Sequence, residues 1–282
     1  MSARLPYRRI GLRFTPPEGE VPYFIGSQIR GAMGYALKDT VCVNPSFRCN
    51  GCFASENCLY YDWFEKRGAY HLYRLDIELG RPYYDIGLYL FAEAVEKLPY
   101  VVSTLHRMLS ENGLGLERKK VKDFELDIDG ERAYADGEFR LPQDEARRVD
   151  ILPTEVPERV KLTLVTPLRL KYHNRFVRTM KEMHLPTLIG SVYRRYTTLL
   201  GEETGRLPFR VEGEIVQSFG TFEDLTRYSS RQKGKLKIGG MRGEIHIEGL
   251  DETSYAYLKA AEIIGMGKQT VFGLGKVKVE SL

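Results

Sequence analysis

The chain repeats its own landmarks. Residues 22–30 read Pro-Tyr-Phe-Ile-Gly-Ser-Gln-Ile-Arg and residues 186–194 read Pro-Thr-Leu-Ile-Gly-Ser-Val-Tyr-Arg, agreeing at five of nine positions without a gap. An apolar, strand-like segment ending in Thr-Pro precedes each copy, at 10–16 and 162–167. Each half then carries a Gly-Leu-Gly: Gly113-Leu-Gly115 lies 87 residues after Gly26, and Gly273-Leu-Gly275 lies 83 after Gly190. Three landmarks in the same order imply a duplicated unit of roughly 130 to 150 residues. The 282 residues hold two such units.

Each unit reads as strand, loop, helix, further strands, second helix, glycine loop, strand. The first helices are announced by a preceding proline and a serine near the start. Their apolar residues, Ile25, Ile29, Met33 and Leu37 in one copy and Leu188, Val192, Tyr196 and Leu199 in the other, recur at helical spacing. Second helices are expected over 87–109 and 253–264, the latter led by Asp251 and Glu252, which suit a helix start. This order is that of a β-α-β-β-α-β ferredoxin-like unit. The expected fold is therefore α+β, with tandem ferredoxin-like domains. Residues 1–140 form the first, with a cysteine-rich insertion at 42–58; residues 141–158 form a linker; residues 159–282 form the second.

The last eighteen residues interleave Gly265, Gly267, Gly273 and Gly275 with Lys268, Lys276 and Lys278, ahead of the alternating Val277 and Val279. Glycine lets a backbone approach a ligand closely and adopt φ > 0, and lysine adds positive charge. Such a loop suits a phosphate backbone. A nucleotide phosphate loop is excluded, because Glu262 stands at its first glycine and Gln269 follows the lysine; the dinucleotide fingerprint fails at Thr270. A plain glycine turn between helix and last strand is the simpler alternative. With 43% apolar and 28% charged residues and a net charge of +4, the chain has the composition of a soluble folded protein, in which nucleic-acid binding needs a local basic patch. No apolar run is long enough for a membrane span and none follows the basic N-terminus, so neither a span nor a signal peptide is expected, and a cytoplasmic location is.

With its tandem units and a tail reading Gly265-Met-Gly-Lys-Gln-Thr-Val-Phe-Gly-Leu-Gly-Lys-Val277, the chain resembles the RAMP (repeat-associated mysterious protein) superfamily of CRISPR systems. Within it, the resemblance is closest to the sixth CRISPR-associated (Cas) protein, the endoribonuclease that cuts precursor CRISPR RNA within its repeats. The hallmark G-φ-G-x-x-x-x-x-G-φ-G-x-φ is met by the four glycines, with Met266 and Leu274 at the apolar positions. Arg30-Gly-Ala-Met-Gly34 looks like the first helix of such proteins, and the cysteine insertion with Tyr60-Tyr-Asp-Trp-Phe64 looks like one branch of the family. The resemblance implies repeat RNA as partner, other Cas proteins as further candidates, and RNA contact by Gly265, Gly267, Lys268, Gly273, Gly275 and Lys276. It adds a basic inter-domain groove whose candidate lining is Arg194, Arg195 and the run Arg227, Arg231, Lys233, Lys235 and Lys237. A solvated hairpin is the alternative for that run.

The family's reaction, as the resemblance implies it, uses no metal: the 2′-hydroxyl attacks the adjacent phosphorus and leaves a 2′,3′-cyclic phosphate. A base, an acid and a cation are needed. Histidine near the first helix, helped by tyrosine and lysine, is the usual choice. Here no histidine precedes His71, and the first helix offers Arg30, Tyr35 and Lys38. His106 falls in an apolar helix and His246 in an alternating strand. His173 and His184 flank a basic loop with Lys171, Arg175, Arg178 and Lys181. The catalytic candidates are therefore His184, His173, Tyr35 and Lys38. A RAMP protein that holds CRISPR RNA, or serves in an effector complex, without cutting is the second reading; a small-molecule-binding ferredoxin-like protein is the third.

All four cysteines, Cys42, Cys49, Cys52 and Cys58, fall within seventeen residues. The C-x-x-C turn and two further thiols make a candidate tetrahedral set for structural zinc, with disulfides or an iron–sulfur cluster as alternatives. A closed Cys₄ set leaves no open position for catalysis, so no catalytic cofactor is expected.

Overall fold

The computed structural model describes residues 4–282 except 17, 69, 116, 136 and 230–233. In the first half the elements run β1 (Leu5–Phe14), α1 (Gly26–Val41), β2 (Tyr73–Asp76), β3 (Tyr84–Phe91), α2 (Leu98–Arg107) and β4 (Glu125–Ile128). The sheet is antiparallel with order β2-β3-β1-β4. In the second half they run β5 (Arg159–Leu168), α3 (Leu185–Leu199), β6 (Glu214–Ser229), β7 (Gly234–Glu248), α4 (Glu252–Ile264) and β8 (Val277–Ser281). The sheet order β6-β7-β5-β8 repeats that of the first half. Both halves are ferredoxin-like, as the duplicated landmarks required.

The helices form where the apolar spacing places them. Ile29, Met33, Ala36 and Leu37 bury one stripe of α1, and α4 is capped by Asp251, whose carboxylate accepts the Ser254 N–H at 2.8 Å. The expected helix over 87–109 is a correction. Gly87–Phe91 finish β3, and regular α-helix begins only at Leu98. Leu88 and Leu90 are buried and their segment pairs with both β1 and β2, so ladder hydrogen bonds outweigh a helical reading of this apolar run.

The two glycine loops occupy matching places, each leading into the last strand of its unit. Gly113, Gly115, Gly273 and Gly275 all have φ between 72° and 81°, and Leu114 and Leu274 between them are buried. The repeated Ile-Gly-Ser copies differ in register: Gly26 opens α1, whereas Gly190 lies one turn inside α3, after Pro186.

Charged ties fasten the halves together. From β2, Arg74 is 1% exposed; its Nη2 donates to the Glu262 carbonyl at 2.9 Å and its Nε to that of Ile263. These are carbonyls of the last turn of α4, where a cation also meets the negative end of the helix dipole. Arg195 of α3 donates to the next carbonyl, Ile264, within the second half, and reaches across to the Tyr70 hydroxyl of the first. Lys276 reaches Asp76 at 3.3 Å and Glu78 at 3.4 Å. Tyr23 donates to Glu223 at 2.6 Å, and Arg242 meets the same pair. Leu5, Tyr7 and Phe91 pack into the second unit's apolar core, together with Val149 of the connection. Arg147–Val149 pair with the start of β1.

Candidate nucleic-acid interface

Where the halves meet, a groove of about 1010 Å³ is walled by α1, the turn after the cysteine insertion and the glycine tail. α1 contributes Arg30, Tyr35 and Lys38, the last two being neighbours at i, i+3 on the helix surface. The turn contributes Tyr60, Phe64, Glu65 and His71; α3 contributes Arg195; β6 contributes Arg227; the tail contributes residues 267–272.

Seven cationic side chains line this groove (Arg30, Lys38, Lys66, Arg67, Arg195, Arg227 and Lys268) against one carboxylate, Glu65. Arg30 and Arg227 are held by aromatic faces rather than by acids. Arg30 lies 4.6 Å from the Phe64 ring centroid and 5.0 Å from that of Phe272, and Arg227 lies 4.7 Å from the same Phe272 ring. Burial, with Arg30 close by, lowers the Arg227 pKa. Lys38 Nζ sits 5.0 Å from the Tyr60 ring, and burial next to Glu65 raises the Tyr60 phenol above the usual range. Guanidinium on an aromatic face keeps its donors available for an anion.

The tail glycines are placed by packing within the protein. A Cβ on Gly265 would come 3.1 Å from Arg74 Cδ, one on Gly267 2.8 Å from the Arg169 carbonyl, one on Gly273 would run into Ile77, and one on Gly275 would overlap the Met266 carbonyl. All four have φ between 73° and 81°. The loop is closed by Met266 N–H to Gly275 O and Lys268 N–H to Arg169 O, both 2.9 Å. Gly267 N–H donates to Ser191 Oγ at 3.1 Å. Only Gly267 of the four lines the groove, next to the exposed Lys268 and to Gln269, which takes a left-handed φ of 67°.

The other predicted residues are placed as follows. Arg195 lines the groove but is 6% exposed, engaged with Ile264 and, at 3.0 Å, with the Tyr70 hydroxyl. Lys276 spends its charge on Asp76 and Glu78, away from the lining. Arg194 is exposed on α3 and also stands outside the lining. Lys235 is exposed on β7, and Lys237 pairs with Asp224 at 3.5 Å. Arg231 and Lys233 lie outside the described residues. His173 sits on a hairpin tip with φ 45°, and its ring and that of His184 both contact Tyr172, at 4.1 and 4.5 Å. The groove lining contains neither of them; its histidine is His71. That residue carried no sequence signal, since it lies between the insertion and a four-residue strand.

Cys42, Cys49, Cys52 and Cys58 all line one small cavity of about 230 Å³. They are free thiols, and among the described residues no three His, Cys, Asp or Glu side chains converge closely enough to hold a metal. No helix among the described residues is long and apolar enough to cross a membrane.

Comparison with known proteins assigns a family model to each half. Residues 162–277 match the family model of the CRISPR-associated endoribonuclease Cas6, and residues 5–133 match that of the AF_1859 N-terminal domain. Residues 162–277 thus carry a Cas6-type domain. Cas6 of Thermus thermophilus shares the chain's fold at TM-score 0.57, with 13% identity over 99% of this chain and 100% of that one. A Cas6 product complex gives TM-score 0.58 at 13% identity, over 98% and 99% of the two chains. An uncharacterized protein of Archaeoglobus fulgidus is 27% identical over the full length of both. Cas6 proteins serve CRISPR RNA processing.

Proposed function

We propose that this protein is a Cas6-type, repeat-specific endoribonuclease that cuts precursor CRISPR RNA in the groove between its two domains. The observation that carries the reading is the groove's composition: seven cations to one carboxylate, framed by the family's glycine loop. Phosphates of a single strand are held there by charge, and aromatic residues such as Phe64 and Tyr60 offer faces for bases. The donor set favours chemistry on the 2′-hydroxyl over a two-metal mechanism, since one carboxylate is too few to hold a pair of divalent cations. Attack of the 2′-oxygen on phosphorus would leave a 2′,3′-cyclic phosphate, with Tyr35 and Lys38 at hand on α1 for proton transfer and charge stabilisation.

The test is to incubate the purified chain with end-labelled repeat RNA in EDTA. One cut leaving a cyclic phosphate, abolished by a single 2′-deoxy substitution at the cut nucleotide, supports the reading. A salt-sensitive shift without cutting would support instead a RAMP protein that only holds the RNA, a role suggested by the lack of histidine on α1. Assembly with other Cas proteins is proposed as well. A Cas6-RT-Cas1–Cas2 complex contains the same fold at TM-score 0.56 and 13% identity, over 98% of this chain and 46% of that one.

For the cysteine segment the proposed occupant is structural zinc, supported by four thiols on one small cavity and requiring the sulfurs to draw together. Metal analysis of the purified protein, with thiol titration before and after chelation, tests it. One zinc per chain and four thiols released by chelation is the expected result.

A further inference from the structure

Four buried nitrogen atoms in this one groove have no hydrogen-bond partner among the described residues: Arg30 Nε, Arg195 Nη2, Arg227 Nε and His71 Nδ1. Burying a polar atom unpaired costs about 1–3 kcal/mol, more when it is charged. The four side chains nevertheless line one groove, and this convergence of guanidiniums and an imidazole, without a carboxylate partner among the described residues, marks a site for an anion. Three belong to guanidiniums that make no ion pair among the described residues, although one, from Arg195, also serves the end of α4. The missing component is an anion with several acceptor oxygens, which a phosphodiester supplies.

We infer that His71, with Arg30, Arg195 and Arg227, forms the pocket for the scissile phosphodiester, and that His71 is the group that takes the proton from the attacking 2′-hydroxyl. This rests on the endonuclease reading above. The imidazole is tilted against the Tyr73 ring at 5.6 Å, and its charged neighbours are Arg30 from α1 and Arg195 from α3, the latter carrying Tyr70. Burial, then those two guanidiniums, hold its pKa down at about 4. The ring is neutral near pH 7, so its unprotonated nitrogen can accept a proton. A phosphodiester entering between the arginines cancels part of their field, so the proton affinity of His71 rises as substrate binds.

In the step, the 2′-O–H bond breaks with its proton passing to His71 as the 2′-oxygen bonds to phosphorus. The bond from phosphorus to the 5′-oxygen breaks, and that oxygen takes a proton from the Lys38 ammonium across the groove. His71 returns its proton to solvent and Lys38 regains one. Arg30 and Arg227 meet the negative charge that grows on the equatorial oxygens.

The experiment compares wild type, His71→Ala and His71→Gln in single-turnover cutting of repeat RNA from pH 5 to 9. Affinity for the 2′-deoxy strand is measured alongside. Both variants should cut about 100-fold or more slowly, bind the 2′-deoxy strand within threefold of wild type, and lose the rise of rate with pH seen on the acid side. Cutting by either variant at the wild-type rate, or loss of binding in parallel with loss of cutting, overturns the assignment. Should wild type cut nothing, the endonuclease reading itself has failed. The His71 imidazole proton resonance then decides the pocket separately. An upward shift of its titration midpoint by one pH unit or more on adding the 2′-deoxy strand supports phosphate beside it; an unmoved midpoint removes it.

Discussion

Gly26, the first residue of α1, faces the Phe272 carbonyl so closely that a Cβ there would overlap the oxygen. This one approach seats the second domain's glycine loop on the helix that carries Arg30, Tyr35 and Lys38. Gly26→Ala should force the two walls apart, destabilising the fold by about 1–3 kcal/mol and weakening RNA binding. Urea unfolding and a filter-binding assay measure both. The equivalent Gly190→Ala is expected to be mild, since its Cβ would meet only the Arg194 side chain.

Lys276 and Lys268 are eight residues apart in one loop and have opposite assignments. Lys276→Ala leaves the partly buried Asp76 short of a partner and should cost about 1–3 kcal/mol of stability, with little change in the salt dependence of RNA binding. Lys268→Ala should leave stability unchanged and lower the slope of log affinity against log salt by about one. Swapped outcomes would reverse the assignments.

Arg74 closes the end of α4 from the other domain and pairs with Asp76 at 3.3 Å. Arg74→Met keeps the bulk but removes one of that carboxylate's two cations and leaves two carbonyls unmatched. A loss of about 3–5 kcal/mol is expected. Thermal unfolding followed by circular dichroism would record it.

Acid should loosen the free protein in a defined window. His71 titrates at about 4 when folded and near 6.5 when unfolded, so the folded state binds fewer protons between these values. Stability from this group is full above pH 6.5 and falls as the pH is lowered toward 4. His71→Asn should flatten that part of the curve, read as urea midpoints at pH 7, 6, 5 and 4.5.

The doubled fold was legible because both copies kept their proline, glycine and Gly-Leu-Gly markers in order. The first helix was legible from its apolar spacing, and with it the place of Tyr35 and Lys38, which line the groove. β3 was not, because an apolar run ahead of a helix carries no strand signal until its partners β1 and β2 are known. His71 was hidden for a related reason: its surroundings come from α1, α3 and β2, elements far apart in the chain. Lys276 misled because a lysine in a glycine loop looks free, and Asp76 and Glu78, which hold it, lie about 200 residues upstream.

On the proposed function, the ties at Arg74, Arg195 and Lys276 have a consequence for the RNA. Because the walls are joined before any strand arrives, the protein works as a mould, and the strand must do the adapting. Most of the ordering entropy then falls on the repeat. A repeat already constrained to the accepted shape should associate more tightly than a slack one of the same sequence, with no contact added.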